Sequence, residues 1–123
     1  MSDELSKLPP QVQERLLRLQ QLQQTLQTVL AQKQQVDMEK TEVEQTLAEL
    51  KKTADDAVVY KSSGSLLIKA EKAKITEELN EKKEMLETRS TVLTRQEARL
   101  RSQVKEAQAK LQEDLRPVSP SSK

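Results

Sequence analysis

The 123-residue chain contains no cysteine and no histidine. The first absence excludes disulfides and thiolate chemistry, and the second removes the commonest neutral-pH proton shuttle and metal ligand. Phenylalanine and tryptophan are missing as well, leaving Tyr60 as the only aromatic residue. A compact globule takes much of its core burial from aromatics. The leucines and valines of this chain are spread along its length, which suits narrow seams between helices better than a thick core. Nor is there an excess of one charge: 21 basic and 20 acidic side chains leave a formal net charge of +1. No large field exists to attract nucleic acid or an anionic membrane. No stretch approaches the roughly 20 apolar residues that span a bilayer. Met1-Ser2-Asp3-Glu4 lacks the basic and apolar regions of a signal peptide, and the expectation is a cytoplasmic protein without a membrane or nucleic-acid partner.

Catalytic features are equally scarce. The sequence has no glycine-rich phosphate loop and no cysteine–histidine cluster for zinc. Its many acids lie on solvated helical faces, not in a pocket where paired carboxylates could work. The expectation is a protein with no catalytic residue, no cofactor and no metal.

Helix-forming sequence is abundant. After a short leader, residues 1–10, ending in Pro9-Pro10, the tract from Gln11 to about Asp55 has no proline or glycine. Gln, Glu, Lys, Leu and Ala dominate, all good helix formers, and a proline pair suits a helix's first turn. Leu19, Leu22, Leu26, Val29, Lys33, Val36, Lys40, Val43, Leu47 and Leu50 recur at alternating spacings of three and four. Eight of these ten are apolar, the signature of a coiled-coil heptad. Val12 and Leu16 extend the stripe backwards, although Arg15 falls on the seam. A helix over about 11–56 is predicted.

The pattern changes near Ala57. Val58-Val59-Tyr60 and Leu66-Leu67-Ile68 are short strand-like runs around Ser62-Ser63-Gly64-Ser65. Gly64, the only glycine, supplies a positive φ for a tight turn. An ordinary helix–helix loop would not need six large apolar residues, so a β-hairpin over about 58–69 is predicted. Alternation places Val59, Leu66 and Ile68 on one face and Val58, Tyr60 and Leu67 on the other or against a neighbouring chain, and it does not say which face is buried. Two strands alone are marginal in water, and their free edges invite pairing with another chain.

A second helix, about 71–115, carries Leu79, Leu86, Leu93, Leu100 and Ala107 at intervals of seven. Ile75, Val104 and Leu111 join this stripe, and Met85 and Val92 are expected to widen it. Three residues after each repeat stand Lys82, Arg89, Gln96 and Gln103, so no frame is apolar at both seam positions throughout. Glu78–Lys82, Glu97–Arg101 and Glu106–Lys110 are i,i+4 pairs worth about 0.3 kcal/mol each. Residues 116–123, with Pro117, Pro120 and three serines, are expected to be a disordered tail. The similar lengths of the two helices favour an intramolecular antiparallel pairing, with both termini at one end and the hairpin at the other.

Leu8-Pro9-Pro10-Gln11-Val12-Gln13, followed by a Gln-rich leucine helix, resembles the start of an archaeal-type prefoldin beta subunit. The resemblance is most specific at Val59-Tyr60-Lys61-Ser62-Ser63-Gly64-Ser65-Leu66-Leu67-Ile68-Lys69 and continues through Glu81–Glu87 and Thr94–Glu97. It covers Leu8 to Leu115, with one hairpin segment as in the beta class. It implies a mainly α fold: a long antiparallel coiled-coil hairpin whose central β-hairpin joins an oligomeric β-barrel platform. It also implies an ATP-independent holdase of two alpha and four beta subunits, which grips unfolded client proteins and passes them to a group II chaperonin. One departure is Glu71, where many relatives have an aspartate; Glu caps a helix less well, so a frayed or displaced helix start is expected there.

Candidate client contacts are the apolar residues at the open end: Leu5, Leu8, Val12 and Leu16 from the first tract, and Leu111, Leu115 and Val118 from the second. With Arg15 in the seam, this end is expected to open partly. Candidate assembly contacts are Val58, Val59, Tyr60, Gly64, Leu66, Leu67 and Ile68. The competing reading is a structural coiled-coil adaptor without client binding.

Overall fold

The computed structural model describes residues 7–116. Residues 1–6, with Leu5, and residues 117–123, with Val118, fall outside the described residues. Four elements follow one another: α1 (Pro10–Lys52), β1 (Val59–Ser63), β2 (Leu66–Ala70) and α2 (Lys72–Leu115). They form two compact units, one of Gln32–Leu93 and one of Met1–Ala31 with Thr94–Lys123.

Pro10 is the first residue of α1, where its missing amide costs nothing and its fixed φ is already helical. The Pro9 carbonyl accepts the amides of Val12 and Gln13 at 3.0 and 3.1 Å. The Gln13 side-chain amide donates back to the Leu8 carbonyl at 2.7 Å. Threonine is a weak helix former, yet Thr25, Thr28, Thr41, Thr46, Thr76 and Thr91 all turn their hydroxyls onto carbonyls four residues earlier. Each hydroxyl is thus satisfied without leaving the helix. The helix ends at Lys52, short of the predicted 56. Lys51 and Lys52 complement the negative end of its dipole, whereas Asp55 and Asp56 would oppose it.

In the hairpin-bearing unit, Val36, Val43 and Leu50 of α1 and Leu86 and Leu93 of α2 are buried, with Lys33, Lys40, Leu47, Leu79, Lys83 and Ser90 half-buried beside them. All ten α1 positions of the predicted heptad are buried or half-buried across the two units. Burying one leucine or valine contributes about 1.5–3 kcal/mol, so these layers hold the helices together. In α2 the second seam position lies four residues after each leucine, not three. Lys83, Ser90, Glu97, Val104 and Leu111 occupy it. Met85 and Val92 do not widen the stripe; Met85 is 63% exposed.

The strands pair antiparallel, with Val59 opposite Ala70, Lys61 opposite Ile68 and Ser63 opposite Leu66. Only Gly64 and Ser65 lie between them, so Ser62 and Ser63, predicted in the turn, belong to the strand. Gly64 has φ of 60° and, among the described residues, no non-glycine residue has positive φ, the pattern of a type II′ hairpin turn.

Helix α2 starts at Lys72, with only Glu71 between it and the end of β2. The Glu71 carbonyl accepts the Ile75 amide at 3.0 Å. The expected displacement does not occur, because Lys72 is anchored across the unit. Its ammonium donates to the Thr53 carbonyl at 2.6 Å and to Asp55 at 3.0 Å. Of the predicted surface pairs, Glu97–Arg101 and Glu106–Lys110 form, at 2.8 and 3.7 Å. Glu78 instead meets Lys61 of β1 at 3.1 Å.

Candidate functional site

The predicted contact residues that fall among the described ones lie in two places, one in each unit. The first is the hairpin. Its cross-strand register puts Val59, Lys61, Ser63, Leu66, Ile68 and Ala70 on one face and Tyr60, Ser62, Leu67 and Lys69 on the other. The sequence-based division of Val59, Leu66 and Ile68 from Tyr60 and Leu67 agrees with this register, while Val58 precedes β1 and is unpaired in it. The Lys61–Glu78 pair, and a groove that Lys61, Ile68, Lys74 and Ile75 line together, turn the first face toward the opening turns of α2. The Tyr60–Leu67 face is directed away from them. Val58, Tyr60, Leu66, Leu67 and Ile68 are all exposed, Leu67 at 72%. The sheet has two strands, so each is an edge strand with half its backbone hydrogen-bonding groups turned outward.

The second surface lies in the unit that holds the ends of both helices. Val12 is buried, at 6% exposure, while Leu8, Leu16 and Leu111 are half-buried and Leu115 is exposed. Arg15 does not leave a gap in the seam: its guanidinium donates to the Asp114 carboxylate of the facing helix. Leu22 and Ala107 line a groove between the helices, rimmed by Arg15, Arg18, Glu106 and Lys110. These contacts run in opposite chain directions, so α1 and α2 are antiparallel here. Leu17, overlooked in the sequence because it lies off the heptad, is exposed beside Glu14, Arg18 and Gln21.

Lys72 was also overlooked. A cation at the first position of a helix opposes the helix dipole. That mismatch was the available signal: the ammonium serves the carbonyl end of α1, where a cation is favourable. Among the described residues, no acidic cluster is placed to hold a metal ion. No helix there is long and apolar enough to cross a membrane.

The sequence profile of the family described as prefoldin subunit matches residues 13–117. Prefoldin subunit beta of Thermococcus onnurineus (strain NA1) is 45% identical over 115 residues, covering 94% of this chain and 99% of the relative. Prefoldin subunit beta of Archaeoglobus fulgidus is 47% identical over 113 residues, covering 92% and 97%. The crystal structure of the prefoldin beta subunit from Thermococcus strain KS-1 superposes with a TM-score of 0.81 at 47% identity, covering 91% of this chain and 98% of that one. A mainly helical chain with a central antiparallel hairpin, matched in sequence and structure over most of its length, belongs to the prefoldin family of chaperone subunits, alongside its beta members.

Proposed function

We propose that the chain is one subunit of a cytoplasmic, ATP-independent holdase. It assembles through its β-hairpin with alpha-type subunits and further copies of itself, two alpha and four beta, in a shared β-barrel platform. The coiled-coil ends capture unfolded polypeptide, prevent its aggregation and deliver it to a group II chaperonin. The observation that carries this reading is the hairpin. A two-stranded sheet with Val58, Tyr60, Leu66, Leu67 and Ile68 exposed is only marginally stable on its own strands in water. Other chains that cover its apolar face and edges would add to the stability that its ties to the helices provide.

Client capture draws support from the other unit. Leu17 and Leu115 are exposed and Leu8, Leu16 and Leu111 are half-buried, giving a modest apolar surface. Several such surfaces in one assembly bind by avidity while each contact stays weak enough to release. Val12 joins only if the seam opens, because the closed seam buries it. The test is co-expression with an alpha-type prefoldin chain, native mass measurement, and aggregation assays on an unrelated denatured client. A six-chain complex that suppresses aggregation is expected. Removing residues 1–12 and 112–123 is expected to keep the complex and abolish suppression. A chain that stays monomeric with the alpha-type partner, or a truncated complex with full suppression, refutes the corresponding half of the reading.

A further inference from the structure

The geometry points to Lys72 as a positioning residue that fixes the hairpin's direction and so prepares it for assembly, an inference whose second test rests on the assembly reading above. The Lys72 side chain is 16% exposed and its ammonium bridges two points of the segment leaving α1. One is the Thr53 carbonyl at 2.6 Å, the other the Asp55 carboxylate at 3.0 Å. Thr53 is itself fixed: its amide donates to the Leu50 carbonyl at 3.1 Å and its hydroxyl to the Glu49 carbonyl at 2.9 Å. The clamp therefore ties the first residue of α2 to the last turn of α1.

Both legs of the hairpin are short beyond this clamp. Only Glu71 separates Lys72 from the end of β2. Between Asp55 and the start of β1 stand residues 56–58, and the Ala57 amide closes a turn onto the Ala54 carbonyl at 3.0 Å. Lys61–Glu78, at 3.1 Å, adds a third tie from β1 to α2. A hairpin held this way loses little conformational freedom on joining partners. The two Lys72 contacts are unequal. Asp55 is fully exposed, and exposed ion pairs contribute little. The bond to the partly buried Thr53 carbonyl is charge-assisted and replaces an orphan helix-end contact, so it carries the clamp.

Spin labels on Gln45→Cys and Ser65→Cys, in a chain otherwise free of cysteine, report the hairpin's position within its unit. The clamp predicts a narrow distance distribution in the parent, in Lys72→Arg and in Asp55→Asn. It predicts a broad one in Lys72→Met at a temperature where helicity is unchanged. In the assembly arm, Lys72→Met is expected to weaken association with an alpha-type chain at least about tenfold, the consequence of losing one charge-assisted hydrogen bond. Lys72→Arg is expected to restore it. A narrow distribution in Lys72→Met overturns the inference, as does a loss of helicity in step with the broadening, which would make Lys72 merely structural. Unchanged association overturns the link to assembly. If the parent itself fails to associate, the assembly reading falls, and the spin-label arm still decides the clamp.

Discussion

A single residue settles the tight turn of the hairpin. Gly64, with φ of 60°, has no atom within 4 Å of where a Cβ would stand. Steric room is therefore available, and the requirement for glycine is one of backbone conformation alone. Alanine at this angle costs about 1–2 kcal/mol. Gly64→Ala is expected to raise amide exchange in β1 and β2 by roughly 5- to 30-fold, the range that cost implies, while helical amides keep their rates. Equal exchange in both proteins would show that the turn tolerates a side chain. Arg15 gives the opposite lesson. The residue type alone marks a break in an apolar stripe, but Asp114 lies opposite and accepts its guanidinium. That pairing joins residues 99 positions apart, and the local sequence contains no signal for it.

At the scale of elements, α1 was legible and α2 only half so. In α1, apolar residues fill most places of both seam positions, and the alternation of three and four is visible directly. In α2 the leucines at intervals of seven mark one position, but the other begins with Lys83, Ser90 and Glu97. Its apolar members, Val104 and Leu111, come too late to set the frame. Met85 and Val92 then look like seam residues because each directly precedes one. The hairpin was legible because β-branched and aromatic runs flank a lone glycine, and its faces follow from the two-residue period. The exit from α1 was not, because the lysine that secures it stands 19 residues away. The α2 frame makes a paired prediction. Leu86 is 2% exposed and its neighbour Met85 is 63% exposed. Leu86→Ala is expected to cost about 2–4 kcal/mol through lost burial and a residual cavity. Met85→Ala is expected to fall within about 0.5 kcal/mol of the parent. Denaturant unfolding followed by helicity measures both, and comparable losses would place the seam elsewhere.

For the molecule as a whole, the assembly proposed above would draw on apolar residues other than those that hold the fold, which makes the two separable by mutation. Seam residues are buried within the chain, whereas Leu67 lies on the hairpin face directed away from α2 and is 72% exposed. An aspartate there stays hydrated in the free chain, opposite Ser62, and folding has little to lose. In an assembly that covers this face, the same carboxylate is stripped of water without a partner, a penalty of several kcal/mol. Leu67→Asp is therefore expected to leave the helicity and unfolding midpoint of the isolated chain unchanged. Its incorporation into a complex with an alpha-type subunit should fall by more than about 100-fold, the least that such a penalty implies. Ser65→Asp, in the exposed turn two residues away, adds the same charge and serves as control; it should assemble normally. Native mass spectra of the mixtures measure the outcome. Full incorporation of Leu67→Asp would mean that this face stays in water in the complex, and that edge pairing of the strands alone joins the chains.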